Sequence, residues 1–431
     1  MTKAEKFKVA RLATLERRKT QVPRVYQLKL QNLKAHQQEK LTRLFLEAKW
    51  FYNHIVADID NRLTHEVWKL KVVSVKVGDQ FEDRALIVLP AHIRRALCDR
   101  IFQALKGLRV LKGKGHKVGA LKPKREIRSV SLPHYRTDYA INLKENKVRL
   151  PKIGWVRALG LHQIPPDAEF ANATLIKRPS GFYVYVTVFL PKQPHQPIFD
   201  KPIGIDLGIK AALTLSNGLQ IDFAVPETKR LKRLQRQLAR KQKGSKNWHK
   251  TLMKLQREHE YIANCRRDCQ NKVIAYLKCY SKVCVQDDYI KGWRENGFGR
   301  KVQWAGIGGC LTRMKNILAT LTPVPRFTPT TAQCSECNAT LNVTLNDRTI
   351  VCPDCGVVVD RDLNAARNIL RLGLSLNQPL PLDWREVTPV EWMTAVRILG
   401  SNPYIRISRH DEAGSRRGDP SEEVTVVISA R

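Results

Sequence analysis

A chain of 431 residues is too long for one compact core, so roughly two to four domains are expected. Lys and Arg number 76 against 39 Asp and Glu, and a net charge of +37 is most simply tolerated beside a polyanion such as nucleic acid. An anionic membrane is the competing partner, but no apolar run approaches the ~18 residues that span a bilayer, so no membrane partner is expected.

The first part of the chain is predicted to be a basic arm, a strand and a helical domain. Residues 1–24 are rich in Lys and Arg without an apolar core, which indicates a frayed arm rather than a targeting peptide. Residues 25–35 begin with alternation typical of a strand, Val25–Leu30. Apolar residues then recur at helical spacing, so 36–116 is predicted to be mainly helical, with a strand-like interruption at Lys71–Val77.

A pattern of period two begins after this helical region. Alternating segments with a turn at Pro151–Trp155 predict a small antiparallel barrel or sandwich over 117–198, to which the strand at 25–30 is added. A proline-rich stretch, Pro191–Pro202, marks the next boundary. The helical region is therefore an insertion between two parts of one β domain.

A buried strand, Ile203–Gly208, follows this boundary and carries Asp206 between two glycines, with Ala211–Leu215 expected as its hairpin partner. From Lys229 to Arg257 the chain has twelve Lys or Arg and no acid. Such a run is typical of a solvated helix face, but no internal ion pairs offset the repulsion. A helical hairpin beside a phosphate backbone is the better interpretation.

A second buried strand, Ser281–Val285, leads into Gln286, Asp287 and Asp288. A glycine-bearing loop, Arg294–Gly309, is expected next, and a helix from Cys310 to Leu318 follows it.

Two Cys-x-x-Cys pairs, Cys334 with Cys337 and Cys352 with Cys355, stand at the separation of a zinc ribbon. Four thiolates at this spacing can bind Zn²⁺ tetrahedrally, and the alternatives are a redox pair or chance. The remaining cysteines have no evident framework, so we expect reduced, buried thiols in a cytoplasmic protein of a bacterial or archaeal cytosol or nucleoid.

Asp360 and Asp362 come directly after the second knuckle, at the start of a helical run. Ala365, Ala366, Ile369 and Leu370 are expected to form its packed face, and Asp360 to cap its N-terminus. Beyond it, 374–431 is proline-containing and is assigned nothing better than a loosely ordered tail.

The two knuckles with the Asp362-x-Asn364 pattern, taken with Gly204-Ile205-Asp206-Leu207-Gly208, resemble the TnpB family of transposon-encoded RNA-guided DNA nucleases. Type V CRISPR effectors and Fanzor proteins are relatives of that family, and the resemblance runs from about Val25 to about Leu372. It implies an α+β multidomain fold, with a ribonuclease-H-like RuvC nuclease domain that contains a zinc ribbon insertion and a β-barrel wedge domain that contains a helical recognition insertion. The implied boundaries are wedge 25–35 and 117–198, recognition 36–116, RuvC 199–330 (with a basic helical hairpin, 228–278) and 357–373, and zinc ribbon 331–356.

The resemblance also implies a function. It is that of a transposon-encoded, RNA-guided, Mg²⁺-dependent DNA endonuclease, which cleaves double-stranded DNA complementary to a noncoding transposon-end guide RNA beside a short flanking motif. The implied cofactors are two catalytic Mg²⁺ ions and one structural Zn²⁺. The zinc ligands would be Cys334, Cys337, Cys352 and Cys355.

Phosphodiester cleavage by two Mg²⁺ ions needs several converging carboxylates, and Asp206 and Asp362 supply two. The family's third is a Glu that closes the second strand, where this chain has Gln286. Asp287 could replace it after a register shift, although alternation would turn it to the opposite face. Glu336, within the first knuckle, is the preferred candidate, since the retained aspartates argue for an active site.

Two other functions compete with cleavage under RNA guidance. Loss of the third carboxylate would leave a nuclease-dead RNA-guided DNA-binding protein or repressor. A transposase of the DDE type, acting without RNA, is the second rival.

Overall fold

The computed structural model describes residues 2–78, 80–293, 295, 299–344 and 347–409. The chain divides into two compact units, Met1–Gln193 and Pro194–Arg431, which are described separately. Helices and sheets occur in both units, so the predicted α+β class is confirmed. Among the described residues, every helix is too short or too polar to cross a membrane.

The described elements of the first unit are helical at its start and mostly extended later. The helices are α1 (Lys3–Lys19), α2 (Ala35–Ala57), α3 (Ile59–Arg62) and α4 (Ala91–Gly113), with 3₁₀ turns at Val67–Lys69 and Leu161–Gln163. The strands are β1 (Gln21–Gln31), β2 (Val72–Val77), β3 (Gln80–Ala85), β4 (Ser129–Leu132), β5 (Ala140–Asn142), β6 (Lys147–Leu150), β7 (Gly154–Leu159), β8 (Glu169–Arg178) and β9 (Gly181–Pro191).

The N-terminal segment, expected to be a frayed arm, forms helix α1. Thr2 and Glu5 make a capping box, in which Glu5 Oε2 accepts the Thr2 N–H at 2.7 Å and the Thr2 hydroxyl accepts the Glu5 N–H at 3.3 Å. Arg17 donates through Nε and Nη2 to the carboxylate of Glu169, both at 2.9 Å. The cap and this bidentate ion pair explain why the segment is ordered.

A seven-stranded antiparallel sheet forms the β part of the first unit, in the order β4-β8-β9-β1-β7-β6-β5. Strand β1 begins at Gln21, earlier than expected, and pairs with β9 and β7, as predicted for a strand from outside 117–198. The inner face of β9 is apolar because alternate residues, Phe182 to Val188, are buried. Gly154 and Trp155, predicted to lie in a turn, instead open strand β7.

Between β1 and β4 the chain forms α2, a β2–β3 hairpin and α4. The carboxylate of Glu47 on α2 is fully buried, where it accepts the N–H groups of Val88 and Leu89, both at 2.8 Å, and the Nε–H of Arg43 at 2.8 Å. A buried charge is tolerated when it is paired and hydrogen-bonded in this way. Glu47 therefore fixes the segment that leads into α4 against α2.

The second unit alternates strands and helices. Its strands are β10 (Ile203–Leu207), β11 (Leu213–Leu215), β12 (Leu219–Phe223), β13 (Val283–Gln286), β14 (Leu321–Val324), β15 (Thr349–Val351), β16 (Val358–Asp360) and β17 (Ile405–Arg409). Its helices are α5 (Lys229–Ala239), α6 (Lys246–Leu277), α7 (Ile290–Trp293), α8 (Gly299–Ala305), α9 (Ile307–Ile317), α10 (Arg361–Gly373), α11 (Leu382–Arg385) and α12 (Pro389–Leu399).

Six of these strands form one mixed sheet, in the order β14-β13-β10-β11-β12-β17. The central strand β10 is parallel to β13 and antiparallel to β11, the expected hairpin partner. Helix α10 packs on β10 at Gly204, where an added Cβ would lie 2.3 Å from the Ala366 carbonyl oxygen and 2.7 Å from Leu370 Cβ. Only glycine permits this approach, so the strand that carries Asp206 and the helix that carries Asp362 are held together.

The region after residue 374 is part of this unit, and the expectation of a loosely ordered tail is wrong for the residues described there. Strand β17 pairs with β12 along its whole length. Glu391 of α12 is fully buried, with Lys201 Nζ at 2.8 Å and the amide of Asn217 at 3.1 Å. The late apolar run, Val424–Ile428, lies outside the described residues.

The glycine-bearing loop expected at Arg294–Gly309 contains helix α8 and the start of α9, so that prediction is wrong for 299–309. Arg294 and residues 296–298 lie outside the described residues. The basic run, in contrast, forms two helices, α5 and α6, as predicted. Leu231 and Leu234 of α5 face inward, and its basic residues lie on the other side.

Candidate metal centre

The two cysteine knuckles fold in the same way. The N–H of Asn338 donates to the carbonyl of Cys334 at 3.1 Å, and the N–H of Gly356 donates to that of Cys352 at 2.9 Å. Both turn residues are left-handed, with φ of 67° at Asn338 and 71° at Gly356. Asn and Gly tolerate this conformation best, so each Cys-x-x-Cys is followed by the residue that its turn needs.

These turns bring the four predicted zinc ligands together. The sulfurs of Cys334 and Cys355 are 3.7 Å apart, those of Cys337 and Cys352 are 3.5 Å apart, and all four lie within 4.8 Å of one another. A tetrahedral zinc with Zn–S bonds of about 2.3 Å places its sulfurs about 3.8 Å apart, so the set could bind zinc. Backbone N–H groups of Cys355 and Asp354 lower the pKa of the Cys352 thiol to about 7, which favours the thiolate that binds metal.

A second cluster of titratable groups lies at the end of β10. The pKa of Asp206 is raised well above its usual value, first by burial and then by the negative charges of Asp362 and Asp288. Asp206 and Asp362 are far apart in sequence, yet the packing of α10 on β10 brings their charges within range of each other. These two predicted residues therefore belong to one acidic site, which we call the aspartate cluster, with Asp288 as its third member.

Positive charges balance Asp362 in this cluster. Its Oδ2 accepts from Arg348 Nη1 at 2.9 Å, and its Oδ1 accepts from Arg361 Nη2 at 3.3 Å. Asp360 caps the N-terminus of α10, as expected, since its Oδ1 accepts the N–H groups of Asp362 at 2.8 Å and Leu363 at 3.2 Å. This cap fixes the first turn of α10, from which the Asp362 carboxylate extends.

Gln286 occupies the position where the resemblance implies a glutamate. The pairing of Ile205 with Val285 in parallel strands places Gln286 beside Asp206. Its side chain is buried and points to the loop after β14, where Nε2 lies 3.3, 3.1 and 2.9 Å from the carbonyl oxygens of Pro325, Arg326 and Thr328. Those carbonyls accept hydrogen bonds and would repel a carboxylate, so this position is built for an amide.

The two aspartates after Gln286 have different surroundings. Asp287 forms ion pairs with Lys315 and Arg326, and these lower its pKa; the Arg326 Nη2 lies 3.7 Å away. Asp288 is partly buried, and burial and the charge of Asp287 raise its pKa to about 6. The charge of Asp287 is thus balanced by two cations, whereas Asp288 acts on Asp206.

Glu336, the preferred third carboxylate, is held by two arginines. Its Oε1 lies 3.5 Å from Arg367 Nη1, and its Oε2 pairs with Arg385. The backbone is tied to α10, because the Ser335 N–H donates to Asn364 Oδ1 at 2.8 Å. Glu336 therefore lies beside the helix that carries Asp362, with both oxygens paired to arginine.

Two buried asparagines of α10 hold the chain that enters the first knuckle. Asn364 Nδ2 donates to the Gln333 carbonyl at 2.7 Å, and Asn368 Nδ2 donates to the Thr330 and Gln333 carbonyls, both at 2.8 Å. Thr330 in turn donates its hydroxyl to Gln286 Oε1 at 3.2 Å. A chain of hydrogen bonds thus connects the end of β13, the knuckle and α10.

Sequence reasoning missed Asp288, although a signal for it was present, since Asp288 directly follows Gln286 and Asp287 at the end of a buried strand. The chain turns after β13, with the Asp288 N–H donating to the Gln286 carbonyl at 3.0 Å. The structural role of Gln286 had no such signal, because its carbonyl partners come from a loop some forty residues later, Pro325–Thr328. Asn368 was not singled out either, since an Asn within a helical run indicates nothing by itself.

Comparisons with known proteins agree with these features. The family model OrfB_IS605, described as "Probable transposase", matches residues 185–294. The model "Cas12f1-like, TNB domain" matches residues 316–369. These ranges contain Asp206, the basic helices, the knuckles and Asp362.

Two curated proteins are also similar. One, "Putative RNA-guided DNA endonuclease" of Streptomyces pristinaespiralis, is 31% identical over 236 residues, which are 52% of this chain and 56% of that protein. The other, "Putative RNA-guided DNA endonuclease InsQ" of Escherichia coli (strain K12), is 28% identical over 269 residues, which are 56% of this chain and 65% of that protein. The matches span less than two thirds of the length of either relative.

Among solved structures, the cryo-EM structure of a Cas12f1-sgRNA-target DNA complex matches with a TM-score of 0.45 and 12% identity, covering 78% of this chain and 83% of that chain.

The fold and the two sites define an α+β protein that combines a four-cysteine site, built from two knuckles, with a cluster of aspartates at the end of strand β10. Within that class, the two family models and the two curated relatives confirm the resemblance recognised in the motifs. These matches support a TnpB-family protein.

Proposed function

We propose that this protein is an RNA-guided, Mg²⁺-dependent DNA endonuclease encoded by a transposon, and that the aspartate cluster is its active site. The observation that carries the proposal is the proximity of Asp206 and Asp362, each of which lies on an element that the Gly204 contact locks to the other. Two curated relatives with the name RNA-guided DNA endonuclease support the same activity.

The sheet supports a RuvC-like nuclease domain of the ribonuclease H type. Its central strand β10 carries Asp206 near one end, an antiparallel hairpin lies on one side, and two parallel strands lie on the other. Asp288 follows the neighbouring parallel strand, and Asp362 starts the helix that covers the sheet. Carboxylates from separate elements thus converge at the carboxyl ends of two neighbouring parallel strands, the usual place for a site in such folds.

The donor set fits Mg²⁺, which prefers carboxylate oxygens, and Asp206 and Asp362 would hold it. When bound, such ions activate the attacking water and stabilise the leaving oxygen of the phosphodiester. The chain's own contribution is to keep the carboxylates converged through the α10–β10 contact. Burial of Asp206 favours its protonated form, so Asp206 must release its proton to bind a cation.

Glu336 remains the proposed third carboxylate, and Asp288 is the alternative that the structure adds. Glu336 is supported by its place beside α10, where Asn364 holds the preceding residue. Asp288 is supported by its effect on the pKa of Asp206. Glu336→Gln and Asp288→Asn distinguish these two candidates, because substitution of the residue that binds metal should abolish cutting without loss of DNA binding.

Nucleic acid is the proposed partner of the basic surfaces. The helices α5 and α6 carry the run of twelve Lys or Arg without an acid between Lys229 and Arg257, and the whole chain carries +37. Phosphates of a guide RNA and its DNA heteroduplex would neutralise this charge. The seven-stranded sheet and its helical insertion are the proposed wedge and recognition domains for that duplex.

Purified full-length protein and the RNA that copurifies with it provide the test. The RNA is sequenced, and DNA duplexes that match it are built with randomised flanks and incubated with Mg²⁺. We expect cleavage of matched duplexes that stops with EDTA and in Asp206→Asn. Stable binding with intact DNA would instead identify a nuclease-dead binding protein, and absence of copurifying RNA would favour a transposase without a guide.

A further inference from the structure

The aromatic ring of Phe327 is the most exposed large apolar side chain among the described residues. Its relative exposure is 92%, and that of the next, Leu382, is 78%. A single exposed apolar residue is ordinary on a protein surface. The surroundings of Phe327 set it apart.

The backbone around Phe327 is fixed by a buried side chain. Gln286 Nε2 lies within hydrogen-bonding distance of the carbonyls of Pro325 and Arg326, before the ring, and of Thr328, after it. A turn closes beneath, with the Thr328 N–H donating to the Pro325 carbonyl at 3.2 Å. The outward position of the ring is therefore built into the loop.

Cationic and aromatic groups accompany the ring. Arg326 Nε donates to the Asp287 carbonyl at 2.9 Å, and its guanidinium lies 5.2 Å from the centre of the Tyr289 ring, which is half exposed. The flat faces of aromatic rings suit nucleobases. Arg326 is also paired with Asp287, since its Nη2 lies 3.7 Å from Asp287 Oδ2, so the loop and the neighbouring Tyr289 offer a ligand mainly flat aromatic surface.

The loop also borders the aspartate cluster. Gln286, which holds it, stands beside Asp206 in the parallel pairing of β13 with β10. Asp288 lies next along the same segment and acts on Asp206.

We infer that Phe327 is a stacking platform for an unpaired nucleobase of the strand that enters the aspartate cluster, and that Gln286 positions it. This inference rests on the proposed function and deepens it, because it names single-stranded nucleic acid as the species held at the site. Stacking on an aromatic ring accepts any base, so the contact adds affinity without sequence preference. It would keep the bases unpaired while their backbone lies near the carboxylates.

The test uses full-length protein with Asp206→Asn, so that nothing is cut, and short single strands that contain the fluorescent base 2-aminopurine. Stacking quenches the emission of this base. We expect quenching on binding, with loss of the quench and about 5- to 150-fold weaker binding in Phe327→Ala, the range that base–aromatic stacking gives. Phe327→Trp should keep the quench, and Phe327→Leu, which is apolar but has no ring, should lose it.

Leu382→Ala is the matched control, since it removes the next most exposed apolar side chain of the same unit. DNA and RNA strands of one sequence are compared, and a quench with either supports the platform and identifies its ligand. An unchanged quench and affinity in Phe327→Ala, or an equal loss in Leu382→Ala, would overturn the inference. Cleavage by the protein with native Asp206 is measured separately, so that failure of stacking is distinguished from failure of the proposed function.

Discussion

The four-cysteine knuckle and the aspartate cluster lie in one unit but are assembled in opposite ways. The cysteines come from one short stretch, Cys334 to Cys355, with the same turn at each pair. The aspartates come from β10, from the end of β13 and from α10, and they meet because Gly204 lets the helix pack on the strand. The knuckle therefore depends on its ligands for its fold, whereas the cluster depends on the surrounding fold for its geometry.

The largest expected effect breaks the knuckle. Cys352→Ser should release zinc and unfold the segment from Cys334 to α10, because a structural zinc contributes apparent binding energy of about 10–16 kcal/mol in small knuckles. Zinc content by mass spectrometry and limited proteolysis measure both. Cys265→Ser, which alters a cysteine outside the cluster, should keep the metal. A folded Cys352→Ser protein that lacks zinc would show that the knuckle does not need its ligands.

The second prediction concerns a substitution that should stop catalysis by the aspartate cluster and preserve the fold. Asp206→Asn should lower cleavage by on the order of 10³-fold, because the proposed site would lose a carboxylate that holds the cations which stabilise transition-state charge. The folded-state pKa of Asp206 is raised, so burial of its charge destabilises the fold above the unfolded pKa. We therefore expect a higher melting temperature for Asp206→Asn in EDTA at neutral pH. A lower one would mean that the carboxylate stabilises the metal-free fold.

The third prediction tests whether the position of Gln286, beside the aspartate cluster, accepts a catalytic acid. Gln286→Glu introduces the residue type that the resemblance implies there, but it places a carboxylate against the carbonyls of Pro325, Arg326 and Thr328. We expect a loss of roughly 1–3 kcal/mol in the free energy of unfolding and no gain in cleavage. Gln286→Met, which has similar length and no charge, serves as the control. Equal stability with faster cleavage would mean that the position still accepts a catalytic acid.

The smallest expected effect is a pH dependence confined to the cluster. The pKa of Asp288 is raised to about 6, so this carboxyl keeps its proton in acid, and if Asp288 is the third carboxylate it can bind metal only as the pH rises through that value. The increase in melting temperature caused by Mg²⁺ should grow between about pH 5 and pH 7. Asp288→Asn should flatten part of this rise, and an unchanged profile would exclude Asp288 from metal binding.

The same contrast explains what the sequence could predict. The cysteine spacing, the strand that bears Asp206 and the helix that follows Asp360 are local patterns, and the structure contains all of them. The amide role of Gln286 depends on carbonyls from a distant loop, which no local pattern reports. The order of residues 374–409, expected to be a loosely ordered tail, was missed for a similar reason. Strand β17 and α12 are ordered by β12, Lys201 and Asn217, which lie far back in the chain.

The pairing of β17 with β12 has a consequence for how the protein is made. Strand β12 stays unpaired on one side until the terminal strand of the sheet, Ile405–Arg409, has left the ribosome, so the second unit cannot finish folding during most of its synthesis. Until then β12 presents unpaired backbone groups to other nascent chains. A truncated product that ends after α10 would keep every residue proposed for catalysis or zinc binding, but β12 would be an unpaired edge strand. We expect this product to aggregate.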